Sequence, residues 1–425
     1  MAEIWIKNGY ALIDGAVGRH DIYISGSLIA GIDAAPKGFQ PEQTIDGTDR
    51  LVIPGLVNSH THSYMAALRN IADDLPFMDW LLKGVQPVED RMSGEDAYWG
   101  AMLAMAEMIR SGTTTFNDMQ MHIHQTTRAA KEAGMRAVIC RGLVGDKYDR
   151  DDVRIKEALE EMGDGKDCDR LTFLLGPHAP YSAGADYLRC VADLAKDKGM
   201  GIHIHLAESV AECENLKNEY GCTPIEYAEK AGCFDVPCIA AHCVQITDRD
   251  IEILKKHDVS VVTNPASNMK LGNGFAPVQK LLDAGVNVAL GTDGAASNNS
   301  LNMFHEMNLL ALIHKGTGRT PVSISAGETL KIATENGARA IGLSGITGRI
   351  AEGLKADLAL LDITEPSMIP HNNLLSSLAY SANGSETDTV IIDGEIVMEG
   401  RQLKTIDMER VRFEIGKMCE RLGIG

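Results

Sequence analysis

Between residues 51 and 293 the chain alternates eight short apolar runs with longer amphipathic stretches, and the runs end on polar or ionisable residues. They are LVIPGLVNSH (51–60), TTTFND (113–118), MRAVICRGL (135–143), LTFLLGPH (171–178), GIHIHLAE (201–208), CIAAHCV (238–244), VSVVTN (259–264) and NVALGTD (287–293). A parallel strand covered on both faces requires this near-continuous apolar character. The stretches between them carry helix signals. SGEDAYWGAMLAMAEMIRSG (93–112) opens on a Ser-x-x-Asp capping pattern and stops at Gly112. DRDIEILKKHD (248–258) spaces Ile251, Leu254 and Lys255 at i, i+3 and i+4. Eight strand–helix repeats over about 240 residues predict an α/β fold of the (β/α)8 barrel type. A doubly wound open sheet is the rival, but it uses fewer strands and needs a Gly-rich phosphate loop after the first strand, which is missing here.

The flanks read differently. Residues 1–50 hold the alternating segments IWIKNGYALI and HDIYISGSLIAGID, and residues 356–398 hold ADLALLDI and DTVIIDGEIVMEG. Either set alone is too small for a stable sheet domain. Combined, they predict a small β-sandwich built from both termini, with 1–53 and 346–425 flanking a catalytic barrel at 54–345. IDMERVRFEIGKMCERLG (406–423) closes the chain as an amphipathic helix.

Bulk chemistry narrows the function. A net charge of −19, with no Lys/Arg cluster longer than a pair, argues against a nucleic-acid partner. No apolar run reaches the ~18 residues of a membrane span. The opening MAEIWIKNGY has no basic segment followed by an apolar one, so no export signal is expected. Nine scattered cysteines without a C-x-x-C fit free thiols in a reducing cytoplasm. Self-association into a homo-oligomer is compatible with an acidic chain of this architecture, and no patch for it is legible.

In a barrel the C-terminal ends of all eight strands open on one rim. Here those ends carry His60 with His62, Asp118, Arg141, His178, His205 near Glu208, His242, Asn264 and Asp293. Four histidine-bearing ends, from only 13 histidines, are hard to assign to chance. His60 and His62 lie two apart on an extended run and project to the same side. With His205 and Asp293 they form a candidate metal set suited to one Zn²⁺, with Fe²⁺ or Mn²⁺ as alternatives. Such a set leaves a position for water, whose pKa a bound zinc lowers to ~7. Two other His-x-His pairs calibrate the signal. His122 and His124 enter a helix, where positions two apart diverge, so they read as loop or surface groups. His203 shares a face with His205 but sits one layer lower, as a packing or supporting group. Glu208, three residues beyond His205, is a candidate for acid–base work; the alternative is a solvated glutamate or the cap of the next helix.

The segments PGLVNSHTH, HIHLAE, AAHCV, NPASNMKLGNG and GTDGAASNN resemble the amidohydrolase superfamily. Within it, these segments together with ADDLPFMDWL (72–81) resemble the 5-methylthioadenosine/S-adenosylhomocysteine deaminases over nearly the whole chain. The resemblance implies a single metal ion, usually zinc, and a small-molecule nucleoside substrate. Deaminating an aromatic amine requires water to attack the amine-bearing carbon while the adjacent ring nitrogen is protonated. The roles implied are Asp293 as proton acceptor and relay to the leaving amine, Glu208 as donor to the ring nitrogen, and His242 as hydrogen-bond partner of the attacking oxygen. His242 could instead be a fifth ligand or a buried histidine bonded to backbone.

The same resemblance implies substrate contacts. Glu89 would grip the ribose hydroxyls, Trp80 would lie beside base and sugar, His178 would bond the purine, and Ser297 would line the pocket. Arg141 would bind the carboxylate of a homocysteine tail. A second arginine is expected a little further on, and neither Arg150 nor Arg154 falls at the expected place. Structural alternatives are a rim ion pair of Glu89 with Arg141 and a core anchor for Trp80. A triazine hydrolase or a guanine-type deaminase is the functional alternative. Some triazine hydrolases lack the strand-five glutamate, so Glu208 favours a deaminase.

Overall fold

The computed structural model describes residues 3–425. Eight strand positions follow one another in the order expected: Leu56–Thr61, Thr113–Gln120, Arg136–Leu143, the split pair Leu171–Phe173 and Gly176–Pro177, Ile202–Leu206, Cys238–His242, Ser260–Thr263 and Val288–Leu290. Neighbours within strands one to four, and within five to eight, pair in parallel. The two halves meet where Leu175 bridges to Ile202, and the ring closes where the Asp293 N–H donates to the His60 carbonyl at 2.9 Å. Gly291 permits that closure. A Cβ there would meet the His60 nitrogen at 2.8 Å and Asn264 Oδ1 at 2.6 Å, so only a residue without one lets strands one and eight approach.

The helices form where the capping and periodicity place them. Gly94–Arg110 starts from a complete Ser93/Asp96 capping box, and Asp248–Lys256 from a Thr247/Asp250 box. Each such cap contributes about 1 kcal/mol. Ile251 and Leu254 are buried while Lys255 is exposed, which corrects the third member of the expected stripe; Ile253 is buried in its place.

The first apolar run is two strands, not one. Arg50–Pro54 belongs to the terminal sheet and Leu56–Thr61 to the barrel. The chain changes sheet at Gly55, whose N–H donates to Asp357 while the Leu56 N–H donates to Gly112. A side chain at Gly55 would collide with Thr114 at 2.1 Å. An apolar run cannot reveal such a switch, because both halves are buried.

The terminal sheet has nine strands. In order they are Gln402–Leu403, Glu395–Glu399, Thr387–Ile392, Leu358–Asp362, Arg50–Pro54, Glu3–Ile13, Ala16–Ser25 and Leu28–Ile32, with Gln43–Asp46 also on Glu3–Ile13. The two ends of the chain meet in the antiparallel pair that sets Leu360 opposite Val52. Ile4, Ile6, Ile22, Ile24, Val52, Leu358 and Leu360 form one apolar cluster on this sheet. Arg136, buried at the start of the third barrel strand, donates to Asp357 at 2.7 Å and to Asp393 at 3.0 Å, tying sheet to barrel.

The closing helix, Met408–Leu422, reaches the rim. Its Met418 and Leu422 share an apolar cluster with Trp80, Val85 and Val88, and Arg421 pairs with Asp96. The C-terminus therefore buttresses the segment that carries Trp80 and Glu89. No helix among the described residues is long and apolar enough to cross a membrane.

Candidate metal centre and active site

Residues 233 positions apart in sequence converge at the rim. His60 Nε2 and His62 Nε2 each lie 3.4 Å from Asp293 Oδ1, and His62 Nε2 lies 3.3 Å from His205 Nε2. The ligand atoms of His60, His62 and Asp293 fall within 4.8 Å of one another, and so do those of His60, His205 and His242. All are buried or nearly so.

The other ring nitrogens explain why the Nε2 atoms face inward. His62 Nδ1 is 2.6 Å from the Met119 carbonyl and His205 Nδ1 is 2.8 Å from that of His178. A carbonyl only accepts, so each Nδ1 carries the proton and each neutral ring presents a bare Nε2 lone pair. His60 Nδ1 is held by His203 Nε2 at 2.9 Å, while its own Nε2 is buried and makes no hydrogen bond. The bare Nε2 lone pairs of His62 and His205 repel each other at 3.3 Å, with the Asp293 carboxylate oxygen 3.4 Å from His62 Nε2. One divalent cation among them turns that repulsion into ligation, so this donor set fits the ion expected.

Protonation follows from burial. Loss of solvent holds the His60 imidazole down at about 4, and His205 well below the ordinary histidine value. Burial pushes the Asp293 carboxyl up, but the neighbouring imidazoles, His60 first, outweigh it and hold the group well below the carboxylate range. Ser267 Oγ and Ser297 Oγ donate to Asp293 Oδ2 at 2.6 and 3.0 Å, and the Gly294 N–H to Oδ1 at 2.8 Å. These donors stabilise the carboxylate form.

Glu208 differs. It is 4% exposed, so neither a solvated glutamate nor a cap; Ser209 caps the following helix. Its Oε1 accepts from Asn273 Nδ2 at 3.1 Å, and its Oε2 lies 3.7 Å from His242 Nε2. No lysine or arginine is paired with it among the described residues, and burial, reinforced by Asp293, pushes its carboxyl well above the usual range. A protonated carboxylic acid beside an ionised aspartate is the pairing that lets one group donate while the other accepts. His242 Nδ1 is 2.9 Å from Asn268 Oδ1, which leaves its Nε2 toward Glu208.

The remaining expected residues divide. His178 bonds Ser182 Oγ at 2.7 Å, packs on His205 with centroids 4.8 Å apart, and is held at about 4 by burial. Glu89 takes the hydroxyl hydrogen bond of Tyr64, not of Arg141, and burial raises its carboxyl. Trp80 is buried and donates to the Ala296 carbonyl at 3.0 Å, so it is an anchor as well as a neighbour of the Asp293 loop. Ser297, expected to line the pocket, spends its hydroxyl on Asp293. Arg141 is paired with Glu157 at 2.7 Å and Glu161 at 3.5 Å. Arg150 pairs with Asp197 on the surface. His124 is exposed and bonded to Asp164, and His122 precedes its helix, half-buried.

Sequence reasoning missed Ser267, Asn268 and Asn273. All three lie in the quoted NPASNMKLGNG, whose density of polar residues inside a buried segment was the available signal.

Comparison with known proteins agrees with this geometry. Residues 51–397 match the Amidohydrolase family. The chain is 48% identical to the 5-methylthioadenosine/S-adenosylhomocysteine deaminase of Acetivibrio thermocellus, over 97% of this chain and 95% of that one. An adenosine deaminase from Xanthomonas campestris, solved with bound zinc, superposes with a TM-score of 0.94 at 32% identity, covering 99% and 98% of the two chains. The atrazine chlorohydrolase of Arthrobacter aurescens, complexed with zinc, gives 0.89 at 23% identity over 98% and 99%, a likeness of fold alone.

Proposed function

Because the chain belongs to the amidohydrolase family, we propose that it is a metal-dependent hydrolytic deaminase. It converts the adenine of 5′-methylthioadenosine, S-adenosylhomocysteine or a related adenosine derivative to hypoxanthine with release of ammonia. The observation that carries the reading is Glu208, a buried acid without a lysine or arginine partner among the described residues, beside the His/Asp cluster in a chain 48% identical to a deaminase of that name. That identity, against 23% to the atrazine enzyme and 20% to a guanine deaminase, leaves the triazine and guanine alternatives unsupported.

His60, His62, His205 and Asp293 would hold one divalent ion, most simply Zn²⁺ given imidazole and carboxylate donors, with Fe²⁺ or Mn²⁺ as alternatives. When bound, the ion acidifies and orients the attacking water. Asp293 accepts the water proton at its carboxylate and passes it to the departing amine. Glu208 donates its proton to the ring nitrogen adjacent to the reacting carbon and is restored by the second water proton, which the new hydroxyl gives up as it becomes the carbonyl; His242 Nε2 accepts a hydrogen bond from the attacking oxygen. Glu89, His178 and Trp80 hold the nucleoside. Ser297 acts through Asp293, which its hydroxyl donates to. Arg141, already neutralised by Glu157 and Glu161, would serve a carboxylate tail poorly, which favours neutral 5′ substituents.

The barrel at 54–345 would carry the catalysis, with 1–53 and 346–425 forming a sandwich-like support. Nine free cysteines fit a cytoplasmic setting. A panel of nucleosides varying only at the 5′ group, assayed for ammonia and for the adenine-to-hypoxanthine absorbance change, tests the reading. Turnover of adenosine derivatives is expected; inert adenosine derivatives beside an active triazine or guanine would overturn it.

A further inference from the structure

The fifth barrel strand ends in a corner whose N–H groups are held by a side chain. Ala207 takes a left-handed backbone, φ 52°, which a residue with a Cβ adopts at a cost. That rotation turns the chain so that Glu208, rather than Ala207, follows the strand into the site. At the end of a strand the N–H groups of Ala207 and Glu208 have no ladder partner. Both are taken by one carboxylate: Glu212 Oε1 accepts from Ala207 at 3.0 Å and Oε2 from Glu208 at 2.8 Å.

The corner is stitched to its neighbour as well. The Ala207 carbonyl accepts from Val244 at 3.0 Å and from Gln245 at 2.8 Å, and the Leu206 carbonyl from Cys243 at 3.0 Å. Those residues follow His242, itself left-handed at φ 73°. Gln245 Nε2 then donates to the Asn273 carbonyl at 2.6 Å, and Asn273 Nδ2 returns to Glu208 Oε1. Glu212 is 4% exposed and has no lysine, arginine or histidine salt-bridge partner among the described residues. A buried carboxylate with no cation is expensive unless its hydrogen bonds are complete.

We propose that Glu212 is the positioning residue for Glu208 and, through the 243–245 turn, for His242: its two oxygens clamp the strained corner that aims both groups. This assignment rests on the deaminase reading for what Glu208 does, while the clamp itself stands on the hydrogen bonds. Glutamine can satisfy only one of the two N–H groups, because its amide nitrogen opposes the second. Alanine satisfies neither.

The test compares zinc-loaded full-length wild type with Glu212→Gln and Glu212→Ala. A displacement near 1 Å of a catalytic group costs about 10²-fold in rate. Glu212→Ala is therefore expected to lose about 100-fold in kcat on 5′-methylthioadenosine, with KM within a few-fold and metal content unchanged. Glu212→Gln should retain an intermediate kcat. A crystal structure of Glu212→Ala should show the Glu208 carboxylate moved off Asn273 Nδ2. Wild-type kcat in a folded, zinc-loaded alanine variant would overturn the proposal, as would a loss that tracks metal content. An unmoved Glu208 would do the same. If wild type itself turns over none of the adenosine derivatives, the deaminase reading fails, and the crystallographic comparison still judges the clamp.

Discussion

Replacing Glu208 by glutamine separates chemistry from structure at this site. The isosteric amide keeps an oxygen for Asn273 Nδ2, the one hydrogen bond that Glu208 Oε1 accepts. The structural cost is therefore within the ~1 kcal/mol of a single neutral hydrogen bond. Losing a positioned general acid removes 10²–10⁴-fold in rate, about 2.7–5.4 kcal/mol at 1.36 kcal/mol per decade. Catalysis wins by a wide margin. Glu208→Gln should accordingly fold, hold its metal and lose at least about 100-fold in kcat. The wild-type rate should also fall as pH rises through the raised pKa of Glu208, because only the protonated form donates; that limb should vanish from the residual activity of the variant. Initial rates of the adenine-to-hypoxanthine absorbance change, with metal analysis of the same samples, check this. A variant within a few-fold of wild type would refute the assignment, and one that loses its metal would make Glu208 a ligand instead.

Glu306 offers a pH-dependent stability test. Fully buried, it accepts from the Ala266 N–H at 3.0 Å and Asn298 Nδ2 at 3.3 Å, and burial raises its carboxyl from 4.5 to about 8. A raised folded pKa means a contribution fully present below 4.5 and lost as pH rises through about 8, on the order of 5 kcal/mol at most. Thermal unfolding from pH 5 to 8 should destabilise wild type more than Glu306→Gln; parallel curves would contradict the buried-acid state. The ion pairs on Arg141 make a third case. S-adenosylhomocysteine should have the lower kcat/KM beside 5′-methylthioadenosine, and Glu157→Gln should raise it about tenfold by freeing the guanidinium fork. An unchanged ratio in substrate competition assays would remove Arg141 from the tail site.

The barrel was legible because parallel strands buried on both faces leave apolar runs, and because a barrel forces their ends to one rim. His60, His62, His205, His242 and Asp293 could thus be gathered from positions far apart. His203, one layer below His205 on the same face, holds His60 Nδ1. What escaped has a common cause. Ser267, Asn268, Asn273, Glu212 and Glu306 are polar residues in loops or helices with no periodic signature, and their importance lies in which group they touch. Glu157 and Glu161 stand four apart, one turn of the helix after strand three, and no spacing along the chain announces that this face closes on Arg141. The sheet switch at Gly55 hid inside one unbroken apolar run.

One measurement reaches the centre directly: anomalous scattering from crystals of the protein as purified, collected at the absorption edges of zinc, iron and manganese. A single peak is expected within about 2.0–2.2 Å of His60, His62 and His205 Nε2 and of Asp293 Oδ1. A peak elsewhere, or a catalytically active protein with no peak at all, would contradict hydrolysis at this rim.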